Sequence, residues 1–484
     1  MNRTFHPLFG VILAAYLAIG GLYAALTPAW QAPDEPAHYN YIKALVETGR
    51  FPVLVQGCYD QAYLAEIISS RFPPHLSVAG ICYEYHQPPL YYLLAAPIFA
   101  VSYGSLLAAR LVSVLWGGVL LWLTYRLAQT IFPDRPFLSL GATAFVAFVP
   151  MHTAMLASAN NDALAEVLLT ALLLLLARHL LRAEAPARRD LAFAGLILGL
   201  GLVTKTTVYI GLPLVAVALW LRERNPVAWL KQAGLVYAPA LAVALPWYLR
   251  NALVYGGLDV LGLARHDAVV EGQLRTAEHI AQIGLWPYLD SFVRVTFRSF
   301  WGQFGWMAVP IDPRLYLALT LVFLLALAGL GAWTWRARRE PGLISTRQQQ
   351  ALGLAGLTIA FIAAGYLWYN SQFVQFQGRY FFTAIAPLGL FFTLGLGEAL
   401  RRRRAAWAMI GLVALTLWIA GSSLLAGDIN GWGVLIAGAF GALLAIQRWL
   451  PGRADGWLAV AFYLGLVGLS AASPFLFVVP NLSP

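Results

Sequence analysis

Charge is what this sequence has least of. Only 11% of its 484 residues are Asp, Glu, Lys or Arg, against roughly 25% in a soluble domain. A fully water-facing shell is therefore excluded. Lysine occurs only at Lys43, Lys205 and Lys231, and cysteine only at Cys58 and Cys82. No phosphate-cradling P-loop and no strand-associated GxGxxG is present, which excludes the common nucleotide-binding domains. What is abundant is apolar: 60% of the residues are hydrophobic and the mean hydropathy is +0.68. These residues lie in runs of about 20, each long enough to cross a bilayer. The chain reads as an all-α polytopic membrane protein. Its net charge of +10 calls for no nucleic acid, because membrane proteins collect basic residues on their cytoplasmic side.

About 13 crossings are predicted, near 8–27, 104–131, 138–158, 163–182, 191–204, 206–222, 232–249, 313–335, 350–369, 380–400, 405–426, 432–449 and 457–478. The first is read as a retained helix rather than a cleaved signal peptide. The apolar segment 89–102 contains Pro97 and is short for a span, so it is expected to be interfacial or re-entrant. The 191–222 stretch is open between two short helices meeting at Thr204-Lys205-Thr206-Thr207 and one long helix. With the N-terminus in the cytoplasm, the inside segments hold 20 of the 32 basic residues and 7 of the 22 acidic ones. That asymmetry obeys the positive-inside rule. It puts two long loops outside, 28–103 and 250–312. Cys58 and Cys82 both fall in the first, on the oxidising side, where a structural disulfide is expected.

The outer loops also carry the chemistry. Pro33-Asp34-Glu35-Pro36-Ala37-His38 follows the first span. Pro36 suits the first turn of a helix with Glu35 near its N-cap, and Tyr39, Ile42, Leu45 and Val46 continue with helical spacing up to Gly49. Capping and complementarity to the helix dipole explain part of this cluster. Because Asp34 and Glu35 are adjacent, their side chains diverge, so one can act on a reacting group while the other positions a ligand. Asn160-Asn161-Asp162 opens another helix, and Glu166, one turn on, shares a face with Asp162. An acid at that depth is costly and often functional. Among cations, Lys205 stands in an apolar segment, Arg379 begins a span beside Gly378, and Arg250 ends one. A phosphate leaving group requires such forks and point charges. His38 and His86 are possible metal ligands, but two residues do not make a site.

Taken in order, these motifs resemble the GT-C superfamily of integral membrane glycosyltransferases. The resemblance rests on the Pro-Asp-Glu-Pro-x-His segment and on His86-Gln87-Pro88-Pro89-Leu90-Tyr91-Tyr92, Asn160-Asn161-Asp162-Ala163, Gly201-Leu202-Val203-Thr204-Lys205, Pro246-Trp247-Tyr248-Leu249-Arg250-Asn251 and Gln377-Gly378-Arg379-Tyr380. It covers roughly residues 8–400. The chain is most similar to the protein O-mannosyltransferase-like and aminoarabinose-transferase-like branches and to an uncharacterised bacterial membrane family built on the same core. The resemblance implies a GT-C-like bundle with interfacial helices in the first outer loop. It also implies a polyprenyl-phosphate sugar donor and a protein, lipid or polysaccharide acceptor, met at the outer face of the plasma (inner) membrane. Inverting transfer would use Asp34 as base, with Glu35 beside it. Asp162, with Glu166, His38 and His86, would support the acceptor or a divalent metal that only some members bind. Lys205, Arg379 and Arg250 would meet the donor phosphate.

The expected organisation is a catalytic core over 1–404 and a C-terminal transmembrane extension of about three helices over 405–484. A carrier tail needs a groove between spans; Gly195, Gly199 and Gly201 permit close helix packing there, and packing alone is the role first expected of them. A transporter or flippase of lipid-linked glycans is the alternative, but it calls for inverted repeats and midplane ionisable groups. A catalytically silent scaffold is a third.

Overall fold

The computed structural model describes residues 5–184, 186–401, 411, 416–417, 431–449 and 456–483. It is almost wholly helical. α1 (Pro7–Leu26) starts on a proline in its first turn and leads into α2 (Glu35–Thr48), the short α3 (Gln61–Ser69) and α4 (Leu90–Val101). Ser105 caps the long α5 (Leu106–Ile131) by accepting from the Ala108 amide, as expected of an N-cap serine. Then come α6 (Pro136–Phe148), α7 (Pro150–Leu156), α8 (Asp162–Leu181), α9 (Arg188–Leu202), α10 (Gly211–Arg222) and α11 (Pro226–Tyr255). The second long loop holds α12 (Leu263–Val269), α13 (Thr276–Ile283) and the amphipathic α14 (Leu285–Trp301). A two-residue antiparallel pair, Gln303–Phe304 with Val309–Pro310, closes it. α15 (Pro313–Arg339), α16 (Thr346–Gln372), α17 (Ile385–Ala399), α18 (Gly431–Trp449) and α19 (Trp457–Ser473) complete the described chain.

Among the described residues eight helices are long and apolar enough to cross a membrane, nine if α6 and α7 count as one bent span. The chain is a multi-pass membrane protein. The single crossing expected over 138–158 is bent by 68° between Phe148 and Pro150, because a proline cannot donate into the helix ladder. The 191–222 stretch is two helices, α9 and α10, with Lys205 in the extended segment between them. Segment 89–102 forms the 12-residue α4, about 18 Å long at 1.5 Å per residue and too short to span. Of the span expected over 405–426 only residues 411, 416 and 417 are among the described residues.

One continuous core runs through the bundle, built from Tyr16 and Tyr23 of α1, the inner faces of α5 to α11, and α15 to α17. Gly195 shows how tightly it closes: a Cβ there would sit 2.1 Å from the carbonyl oxygen of Val236 on α11. Of the glycines named beside a carrier groove, Gly195 and Gly199 pack against α11, and Gly201 packs against Val208 and Leu168. The large apolar hollow lies elsewhere, about 620 Å³ between α14, α15, α16 and α17, walled by Phe292, Phe297, Phe323, Ile359, Phe381 and Phe391.

Candidate active site

α2 begins where the sequence placed it, with Pro36 in the first turn and Gly49, at φ 66°, closing the C-terminus. The cap itself is Asp34 rather than Glu35. Asp34 takes a left-handed conformation, φ 66°, uncommon for a non-glycine residue and costly unless its surroundings impose it. They do. Arg110, buried on α5, donates from Nε to Glu35 Oε1 at 2.7 Å and from Nη2 to Oε2 at 2.6 Å. It also donates to the carbonyls of Ala24, Thr27 and Pro28 at 3.0, 2.6 and 3.1 Å. Glu35 in turn accepts from the amides of Trp30 and Ala159, both at 3.2 Å. The end of α1, the start of α2 and the approach to α8 are pinned to one guanidinium.

With Glu35 turned inward, Asp34 faces outward. Its Oδ1 accepts from the Tyr83 hydroxyl at 2.8 Å and its Oδ2 from Arg379 Nη2 at 2.5 Å. A quarter of the Asp34 side chain stays open, on a cavity of about 360 Å³ that Tyr83, Glu84, Tyr369, Arg379 and Tyr380 also line. Burial alone would push the Asp34 carboxyl up. The positive charge of Arg379, that of His38 and the hydrogen bonds from Arg379 and Tyr83 outweigh it and hold the group at about 2. Arg379 is aimed by Gln377, whose Oε1 accepts from its Nε at 2.6 Å. Gly378 lets this turn pack on α14, since a Cβ there would stand 2.2 Å from the Thr296 carbonyl.

A second ion pair stands nearby. Lys205 Nζ donates to Asp162 Oδ1 at 2.5 Å, with 19% and 27% of the two side chains exposed. Asn161 ties this corner together by donating to Gln87 Oε1 and to the Thr204 carbonyl, and the Leu90 amide donates to the Val203 carbonyl. The charge of Arg379 reaches Asp162 as well as Asp34, although Asp162 and Lys205 do not line the same cavity.

The other residues singled out from the sequence are placed differently. Glu35, fully buried with both oxygens taken, does not reach the cavity. Glu166 is bonded to His152 Nε2 at 2.8 Å inside the bundle. His38 shares a 2.8 Å hydrogen bond with Tyr92, and burial lowers its pKa. The His86 ring lies 4.5 Å from that of His266 at a tilt of 48°, and burial, then the His266 charge, lowers its pKa to about 4. Arg250 donates to the Phe51 and Pro52 carbonyls and lies over Trp247 and Tyr255, away from the cavity. Arg110, Tyr83 and Gln377 were not singled out. Of these Arg110 carried a signal, a cation inside a 26-residue apolar helix whose other cation, Arg126, lies near the opposite end.

The donor set does not fit a divalent metal. Among the described residues no group of three or more His, Cys, Asp or Glu side chains is positioned to hold one. Asp34 and Asp162 are each already committed to a cation.

Cys58 and Cys82 form a disulfide 24 residues apart, next to Tyr59 and Tyr83 of the cavity wall. A closed loop of this length contributes typically about 2–4 kcal/mol. The Cys58→Ser/Cys82→Ser protein is therefore expected to unfold earlier in thermal melts, by an amount in that range. An unchanged melt would show that the loop is held by packing alone.

Residues 81–389, well over half of the sequence, match the family described as Predicted membrane protein (DUF2142). The chain belongs to that family. Comparison with curated protein sequences finds no match. Among solved structures this DUF2142 chain is similar to ArnT from Cupriavidus metallidurans bound to undecaprenyl phosphate, with 18% identity, 96% of this chain and 77% of that one covered, and a TM-score of 0.52. The apo form of the same protein gives 16%, 96%, 76% and 0.55. The Archaeoglobus fulgidus oligosaccharyltransferase tethered to an acceptor peptide gives 14% identity and a TM-score of 0.50, covering 96% of this chain and 55% of that one. At these identities the likeness establishes the fold, which is that of the GT-C superfamily.

Proposed function

We propose that the chain is a glycosyltransferase moving a sugar from a polyprenyl-phosphate carrier to an acceptor at the outer face of the plasma membrane, with inversion at the anomeric carbon. The observation that carries this is the Asp34–Arg379 pair opening on a polar, tyrosine-walled cavity. Two residues along the chain, Phe381 lines the apolar hollow between α14 and α17. A ligand with a phosphate, a sugar and a long hydrocarbon tail matches that succession of surfaces. The ArnT neighbour holding undecaprenyl phosphate supports the same donor class.

In this reaction the acceptor hydroxyl oxygen attacks the anomeric carbon while its proton passes to Asp34. The bond from that carbon to the phosphate oxygen breaks, and the carrier phosphate leaves with the electron pair. Asp34 at about 2 is a weak base at neutral pH, and a base works best when its pKa approaches the working pH. The donor phosphate competes for Arg379. Once the guanidinium turns to the phosphate, Asp34 loses its main counter-ion and gains basicity. Arg379 then balances the charge of the leaving group, a contribution on the order of 3–4 kcal/mol for one well-placed donor, and Lys205, outside that cavity, adds its charge from farther away. Asp162 positions Lys205, and Glu35 and Arg110 position Asp34.

The N-terminus lies in the cytoplasm, the core spans 1–404 and the extension 405–484. The last residues of that extension reach the first outer loop, where Gln31 Nε2 donates to the Leu482 carbonyl at 3.2 Å. The test is to incubate purified full-length protein with a panel of polyprenyl-phosphate sugars and candidate acceptors and to measure released polyprenyl phosphate by mass spectrometry. One donor is expected to turn over only when acceptor is present. If neither undecaprenyl phosphate nor any sugar-loaded form binds, the proposal fails.

A further inference from the structure

α8 is 20 residues long, so its far end lies about 28 Å from Asp162 along the helix axis, and it carries a second polar site unrelated to the cavity above. A pocket of about 240 Å³ there is lined by Arg178, His179, Arg182, Asp190 and Arg222, with Phe193 at its rim. Arg126 and Arg182 lie close enough to Arg178 to repel it, and Arg182 and Arg347 do the same to Arg222. Five arginines thus crowd a corner where the nearby acids are Glu184 and Asp190.

Capping explains some of this. Arg222 donates to the carbonyls of His179, Arg182 and Glu184, and Arg347 donates to the Arg182 carbonyl at 3.0 Å. Cations are favoured there by the negative end of the helix. Arg182 pairs with Asp190 at 2.6 Å. Capping does not account for Arg178, whose side chain makes no hydrogen bond or ion pair among the described residues. Nor does it account for His179, whose side chain lines the pocket at 9% exposure while its buried Nε2 has no partner. A buried polar atom without a partner costs about 1–3 kcal/mol, and a hydrogen-bonding guest in the pocket relieves that cost.

We propose that this pocket binds a phosphate anion, held by Arg178, Arg182 and the His179 ring. Basic pockets between membrane helices are suited to anionic headgroups, and Phe193, 51% exposed at the rim, offers apolar surface beside one. Free phosphate shares the chemistry, so the experiment separates the two sources. Full-length protein in neutral detergent is titrated with phosphatidylglycerol, with phosphatidylcholine and, separately, with inorganic phosphate, and bound molecules are counted by native mass spectrometry.

Phosphatidylglycerol is expected to be retained over phosphatidylcholine, and Arg178→Gln to weaken that retention about fivefold, the effect of about one surface arginine. Lys231→Gln, exposed on α11 at the same end of the bundle, should change it less than about twofold. Should Arg178→Gln fail to fold, Arg182→Gln, at a side chain already 57% exposed, reads the same contact. Binding of inorganic phosphate with the same arginine dependence, and no preference between the lipids, assigns the site to a soluble anion. If no probe depends on Arg178 or Arg182, or Lys231→Gln costs as much, the site is overturned. None of these outcomes bears on sugar transfer.

Discussion

Asp34→Asn is expected to keep the fold and the Tyr83 hydrogen bond while losing sugar transfer by about 10²–10⁴-fold, the usual contribution of a positioned general base. The side chains have nearly the same shape, but an amide cannot take the acceptor proton. The kinetic split decides between two roles. If Asp34 were only the counter-ion of Arg379, its neutralisation would free the guanidinium, tighten donor binding and leave kcat near wild type. Loss concentrated in kcat is the signature of the base. A pH series adds a sign. In the free protein Asp34 is held at about 2 chiefly by Arg379, against burial that raises it. Its folded value lies below the ordinary carboxylate value, so the pair stabilises the protein above the ordinary pKa and that stability is lost as pH falls towards 2. Arg379→Gln leaves burial with less opposition. The acid-side midpoint of unfolding attributable to Asp34 should therefore move upward, and an unmoved midpoint would mean that Arg379 does not control this carboxyl.

Much of this candidate site was visible before folding because ionisable residues stand out in a chain that is 60% hydrophobic. Asp34, Asp162, Lys205 and Arg379 were all found that way. Bilayer-length runs and the pattern of basic residues likewise set the fold class. What the sequence withheld was pairing. Asp34 and Arg379 are 345 positions apart, and no local spacing says that each cation will be held by a carboxylate in the resting protein. Adjacent acids also look alike in sequence: Asp34 opens on the cavity and Glu35 faces α5 only because of the left-handed turn between them. Arg250 looked like a phosphate ligand but is consumed by loop carbonyls and two aromatic faces. Gly195, Gly199 and Gly201 bring helices together, the packing role expected of small residues, and leave no groove beside them. Bulky phenylalanines on α14 to α17 wall the open space.

Arg110→Ala should be the most destabilising single change in the region, costing about 3–5 kcal/mol, as for one partner removed from a buried pair. The pair is 2.6 Å long with side chains 4% and 0% exposed. A double replacement shows what kind of pair it is. An ordinary buried ion pair exchanged for apolar residues of similar volume is often neutral or stabilising. Here Arg110 also satisfies the carbonyls of Ala24, Thr27 and Pro28, and Glu35 the amides of Trp30 and Ala159. Removing both side chains strands those five backbone groups, so Glu35→Leu/Arg110→Met should not recover stability. Arg110→Lys should not rescue it either, because an ammonium lacks the planar fork that spans Glu35 and the carbonyls together. Thermal inactivation half-lives in detergent compare the four proteins. Recovery in the double variant would reduce the contact to a charge pair and remove the reason for holding Asp34 at a positive φ. Persistent loss, with the turn released, means that the Asp34 carboxyl is aimed from inside the bundle.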